Sequence, residues 1–170
     1  MIRYICAVAV LTTGIAFAQN DPPEAGINNE VRHELVMLPY LDVFDNLAYR
    51  VDGNSVTLSG QVTRPTLKSD AERVVKRIPG VNAVDNQIEV LPVSQFDDQL
   101  RNSLYRAIYG FAPLYRYSMP VIKPIRIIVK SGNVTLEGVV DTQADKAMAN
   151  IRANGVHGVF SVTNNLRVGE

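Results

Sequence analysis

Val56-Thr57-Leu58-Ser59-Gly60-Gln61-Val62 returns 78 residues later as Val134-Thr135-Leu136-Glu137-Gly138-Val139-Val140. The same offset pairs Val51 with Val129, Lys68 with Lys146, Ala71 with Ala149, Gly80-Val81 with Gly158-Val159, Asn86 with Asn164 and Val90 with Val168. Across the 40 positions from Val51 to Val90 there are 13 identities and no gap. Chance gives roughly two or three in a chain of ordinary composition. The chain is an internal repeat, and the repeat sets the domain count before any element is assigned.

Working outward from each copy, Leu47, Tyr49 and Val51 alternate as a strand, Asp52-Gly53-Asn54 makes a hairpin turn, and Val56, Leu58 and Val62 point inward from the returning strand. Gly60 stands where a further inward side chain belongs, which predicts a bulge or a close approach by the following helix. Thr66 to Ile78 carries an apolar stripe of Leu67, Ala71, Val74, Val75 and Ile78 and reads as an amphipathic helix stopped by Pro79-Gly80. Val81, Val84, Ile88 and Val90 then form a third strand. Upstream, Asn28-Asn29 offers an N-cap for a helix over about Glu30 to Leu38, ended by Pro39. The predicted fold class is α+β: two tandem small αββαβ domains, each with helices packed on a three-stranded sheet.

The second copy keeps this order. Ser94 or Asp97 caps a helix through Leu100, Leu104, Ala107 and Ile108; Ile125, Ile127 and Val129 follow as its first strand. A helix over about Ala144 to Ala153 has a less clean stripe than its counterpart, because Arg152 stands in the place of Val74. From the helix leucine to the first strand residue is 12 residues in copy one (Leu35 to Leu47) and 21 in copy two (Leu104 to Ile125), so nine residues are inserted. The insertion lies in 110–124, and Pro113, Pro120 and Pro124 prevent it from being a longer helix.

The 170 residues are 46% hydrophobic with 17 basic and 17 acidic side chains, which excludes collagen, coiled-coil and wholly disordered classes. Residues 1–18 differ in kind: a basic start, the apolar run Tyr4 to Leu11 and Ala16-Phe17-Ala18 predict a cleaved secretory signal peptide rather than a membrane span. The single cysteine, Cys6, lies inside that run, so the mature chain is expected to carry none. A flexible leader over 19–27, a first domain over 28–92 and a second over 95–168 complete the organisation. Export without disulfides fits a bacterial periplasmic or secreted location. Residues 19–98 hold 7 basic and 13 acidic groups, a net of −6, whereas 99–170 hold 9 and 4, a net of +5. That asymmetry bears on partners or on how the halves face each other.

Val-Thr-Leu-x-Gly-x-Val, an alanine-bearing helix, Gly-Val-x-x-Val and Asn-x-Ile/Leu-x-Val, occurring twice behind a signal peptide, resemble a tandem pair of BON domains over about Asn28 to Val168. The resemblance implies a non-enzymatic module of the bacterial envelope. Members are associated with the osmotic-stress response, phospholipid binding at membrane surfaces, chaperone-like protection and attachment to larger assemblies. Members with a lipid anchor sit at the outer membrane; this sequence lacks the lipid-attachment cysteine.

No enzymatic constellation stands out. His33 and His157 belong to unrelated elements, and no phosphate loop or metal-ligand spacing occurs, so neither a cofactor nor a metal is expected. Asp97-Asp98 reads as acid at a helix start. Asn86 and Asn164 read as local side-chain-to-backbone bonds, and the repeated Gly-Val pairs as turns.

One stretch carries a binding signal. Between Gln99 and Leu136 there is no acidic residue, and Arg101, Arg106 and Arg116 are interleaved with Tyr105, Tyr109, Phe111, Tyr115 and Tyr117. Basic groups attract an anionic lipid surface and tyrosines suit its boundary, while Leu114, Tyr115, Met119 and Val121 offer a shallow apolar wedge. The competing expectation is that this basic half docks on the acidic half of the same chain. The functional expectation is a periplasmic binding module for an anionic phospholipid surface or an envelope protein, acting through the second domain. A soluble, osmotic-stress-related chaperone-like protein is the alternative. Nucleic acid is not an expected partner of an exported chain.

Overall fold

The computed structural model describes residues 23–169. The signal peptide expected over 1–18 and the first part of the expected leader lie outside the described residues. The first unit runs α1 (Pro23–Val36), β1 (Asn46–Asp52), β2 (Ser55–Val62), α2 (Pro65–Val75), β3 (Ala83–Asn86) and β4 (Glu89–Val90). The second repeats it as α3 (Gln95–Tyr109), β5 (Ile125–Lys130), β6 (Asn133–Val140), α4 (Gln143–Asn154), β7 (Ser161–Asn164) and β8 (Arg167–Val168), with a 3-10 helix, Ala112–Ser118, inside the insertion.

The α+β expectation of two repeated helix-on-sheet units holds. In each unit the hairpin strands are antiparallel and the last strand returns parallel to the central one. That last strand is broken in two. β3 pairs with Ser55 to Leu58 and β4 with Gln61 and Val62, leaving Ser59-Gly60 between them. At the break the Ile88 N–H turns to the Asn86 side chain at 3.2 Å instead of the ladder, and Asn86 Nδ2 donates to the Lys68 carbonyl of α2 at 2.9 Å. Asn164 makes the same two bonds, to Leu166 and Lys146. The paired asparagines are therefore structural, and they also tie strand to helix.

Two expectations need correction. α1 begins at Pro23, within the stretch 19–27 assigned to a leader, and Asn28-Asn29 lies inside the helix rather than at its cap. Gly60 is not approached by the following helix. It adopts a φ of +108° opposite Leu47, and a Cβ there would run into the Asn46 carbonyl of the partner strand. Gly138, with φ +120°, meets the Pro124 carbonyl in the same way.

Two cores result. Val31, Leu35, Val56, Leu58, Leu67 and Ala71 are buried together in the first unit. Leu100, Leu104, Ile108, Leu136 and Ala149 fill the second, and Val43, from the loop between α1 and β1, is buried with them. The first unit thus contributes a side chain to the core of the second.

Candidate functional site

The eight candidate residues sit on α3 and in the insertion, and the fold separates them. Ser94 caps α3, its Oγ accepting from the Asp97 N–H at 3.2 Å. Asp97 does more than favour the helix start. It is buried and accepts the Ser131 and Gly132 N–H groups at 2.8 and 2.9 Å, fixing the β5–β6 turn.

Four residues further on, Arg101 is buried rather than presented to a surface. Its guanidinium donates to the Val129 carbonyl at 2.8 Å and pairs with Asp98 at 2.5 Å. Tyr109 is buried and its hydroxyl donates to the Ile125 carbonyl; burial raises its pKa well above the ordinary phenol value. Tyr105 is half-buried, with its ring 5.0 Å from that of Tyr109 and 6.4 Å, edge-on, from Phe44. Phe111 lies under the Arg152 guanidinium at 4.9 Å, which accounts for the arginine that interrupts the stripe of α4.

In the insertion, Leu114 and Tyr117 turn into the core, so the expected wedge loses one member and the basic-aromatic face another. Arg116 bridges to Asp141 and to the buried Asp145 of α4, and Tyr117 donates to Asp145 at 3.0 Å. The side chains left facing solvent are Arg106, Arg116 and Tyr115 of the original eight, joined by Met119, Val121 and Ile122. Met119 is 70% exposed and Val121 98%, an unusual position for two large apolar residues in consecutive turns of chain.

The tyrosines thus form no single exposed patch. The competing expectation, docking of the two halves, has direct contacts behind it. Ile127 N–H donates to the Val43 carbonyl at 2.9 Å, Arg126 to the Asp42 carbonyl at 2.8 Å, and Lys130 pairs with Glu89 at 2.5 Å. Burial lowers the pKa of Arg126, with Tyr109, Asp45 and Asp42 acting against the shift. Beside this junction is a cleft of about 550 Å³, lined from the first unit by Val36, Leu38 and Leu41 and from the second by Tyr105, Val121 and Ile122.

Val43, Phe44 and Ile122 were missed in the sequence. A signal was available: carried back beyond Val51, the 78-residue offset sets Leu41, Val43 and Phe44 against Met119, Val121 and Ile122, all apolar. Among the described residues no group of three or more His, Cys, Asp or Glu side chains could hold a metal, and no helix is long and apolar enough to cross a membrane.

With this geometry in view, the family model for the BON domain matches residues 23–92 and 121–170. The chain belongs to the BON-domain family. The BON match breaks over 93–120, the stretch that holds α3 and most of the insertion. Osmotically-inducible protein Y of Escherichia coli (strain K12) is similar, with 26% identity over 133 residues, covering 72% of this chain and 61% of that protein. The chain therefore spans about three fifths of that relative's length. Among solved structures, the C-terminal domain of CdsD, a structural protein of the type III secretion system of Chlamydia trachomatis, is 11% identical, with a TM-score of 0.30 over 84% of this chain and 96% of that one. A second structure of CdsD gives 12% identity and a TM-score of 0.31, covering 85% and 93%. At these TM-scores the CdsD likeness adds nothing to fold or function.

Proposed function

We propose that this BON protein is a non-enzymatic, periplasmic binding module that engages an anionic phospholipid surface through the insertion of its second unit. The observation that carries the reading is the exposed run Met119, Val121 and Ile122, in one segment with exposed Tyr115 and with Lys123, while Arg106 is exposed on α3. Apolar side chains on a loop enter the boundary between headgroup and acyl chain, and neighbouring cations add about 1 kcal/mol each near an anionic surface. Tyr109, bonded to the Ile125 carbonyl at the end of the loop, and Tyr117, bonded to Asp145, act from inside by holding the loop in place, whereas Arg101 ties α3 to β5. Export by the predicted signal peptide would bring the module to the envelope.

Vesicles rich in phosphatidylglycerol are expected to retain the protein at low salt and release it as salt rises. Val121→Asp with Ile122→Asp, or Arg106→Glu with Lys123→Glu, should each abolish retention. Failure of the unmodified protein to co-sediment rejects the membrane reading. The similarity to an osmotically inducible protein favours a second reading, a soluble stress-related chaperone-like role. Its mark is suppression of client aggregation with no vesicle binding.

A further inference from the structure

The repeat relates not only the two units but also the way one is docked on the other. On the second unit, the slot between α3 and the outer edge of β5 is filled by the first unit's segment Leu41-Asp42-Val43-Phe44-Asp45. Val43 is buried there, its carbonyl accepts the Ile127 N–H, and Phe44 meets Tyr105. The corresponding slot of the first unit lies between α1 and the outer edge of β1, with Val36 in the place of Tyr105 and Tyr49 in the place of Ile127. Tyr49 pairs with Leu58 as Ile127 pairs with Leu136, so its N–H faces the outer edge in the same way. Among the described residues β1 has no strand on that edge. Instead there is an open cleft of about 460 Å³, lined by Leu35, Val36, Tyr49, Arg32, Arg126 and Arg167.

The chain contains a segment that the repeat would place there, Met119-Pro120-Val121-Ile122-Lys123, yet Val121 stands 98% exposed. Its chemistry differs from that of the segment in the filled slot. In the filled slot, the Asp42 carboxylate accepts the Val43 N–H at 2.6 Å, and the Asp45 carboxylate accepts the Asp42 N–H at 2.9 Å and the Thr63 N–H of its own unit at 2.7 Å, so the two acids shape the segment. Pro120 has no N–H to donate, and Lys123 puts a cation where Asp45 has an anion. Lys123 is also held by the Ser118 and Pro120 carbonyls at 2.7 Å. Three arginines around the empty slot oppose that cation and favour acid.

We propose that the α1–β1 slot of the first unit is a peptide-binding groove, which takes an extended apolar segment flanked by acidic residues, as the second unit takes Leu41–Asp45. Main-chain pairing to the Tyr49 N–H supplies the alignment, apolar side chains meet Leu35 and Val36, and the flanking acids meet Arg32 and Arg167. This groove adjoins the cleft that Val121 and Ile122 line, sharing Val36, Leu41 and Arg126 with it, but no residue of the exposed loop lines the groove itself.

The probe is a fluorescent peptide copying residues 39–46, with a control in which both aspartates are lysine. Polarisation with the full chain should show saturable binding of the first peptide and none of the control. Binding should protect the Tyr49 amide from hydrogen exchange. Arg32→Glu with Arg167→Glu, two exposed changes, should weaken it about tenfold while vesicle retention stays unchanged. Absence of binding, or binding indifferent to the arginine reversals, overturns the proposal. So does protection at Ile127 in place of Tyr49, since the peptide is then displacing the resident segment. Self-association that depends on Arg32 and Arg167, without peptide binding, gives the groove to a second copy and likewise overturns it.

Discussion

Asp145 occupies the position at which the first unit has Leu67, and both are buried. A leucine there needs only apolar neighbours; a carboxylate needs partners or it destabilises the fold. Burial works against its charge, but hydrogen bonds from Thr142 and Tyr117 and the charge of Arg116 outweigh that, so its pKa lies below the ordinary carboxylate value. A carboxylate lowered in the folded state contributes stability that is present above its unfolded value of about 3.9 and is lost as pH falls through the folded value. Acid titration of stability should therefore show a loss below about pH 3.9 that Asp145→Asn flattens. Tyr117→Phe should cost about 1 kcal/mol or more in urea denaturation, because it leaves a buried acceptor short of a donor. None of this was legible beforehand. In the sequence Asp145 is an acid in the first turn of a helix, and the donors that complete it lie 28 and 29 residues away. Arg101 misled for the same reason: a basic residue beside a core stripe looks solvent-facing unless the carbonyl it will meet, that of Val129, is known.

At the scale of elements, patterning read well because period-2 and period-3.6 burial is local. Both hairpins, α2 and α4 were recovered from it, and the asparagine bonds from the residue type alone. Boundaries fared worse. Nothing in Pro23 to Ile27 distinguishes a helix start from a leader until Ile27 is found buried in the first core. The third strand looked continuous because Val84, Ile88 and Val90 are all apolar, whereas its break depends on the backbone of the neighbouring strand at Gly60. That glycine offers a direct test. Gly60→Ala must accept both a positive φ and a Cβ against the Asn46 carbonyl, and should lose about 3 kcal/mol or more. Thermal or urea unfolding measures it, and Gly138→Ala should behave alike. A loss under 1 kcal/mol would mean that the strand pair relaxes freely.

Across the whole molecule, the charge asymmetry between the halves was visible in the sequence, and docking of one half on the other was one of its two expected uses, but the residues that make the docking contacts were not legible. Several of the basic residues of 99–136 are occupied inside the protein: Arg126 and Lys130 hold the first unit, and Arg101 and Arg116 serve the second. Such contacts link positions 84 and 41 residues apart, beyond the reach of any local pattern. They imply that stability is shared. Val43→Ala should remove roughly 2 kcal/mol, the low end for truncating a buried aliphatic side chain. The loss should fall on the second unit: hydrogen exchange ought to quicken at Ile127 and Ile128 while Val56 and Leu58 keep their protection. Equal quickening in both units would show that they open together. The burial of Val43 also settles where the chain can be cut. Severed at Pro92, the first half retains every member of its own core cluster, while the second leaves a piece of its interior behind. A fragment meant to represent the second unit has to begin near residue 41 or be supplied with that segment as a separate peptide.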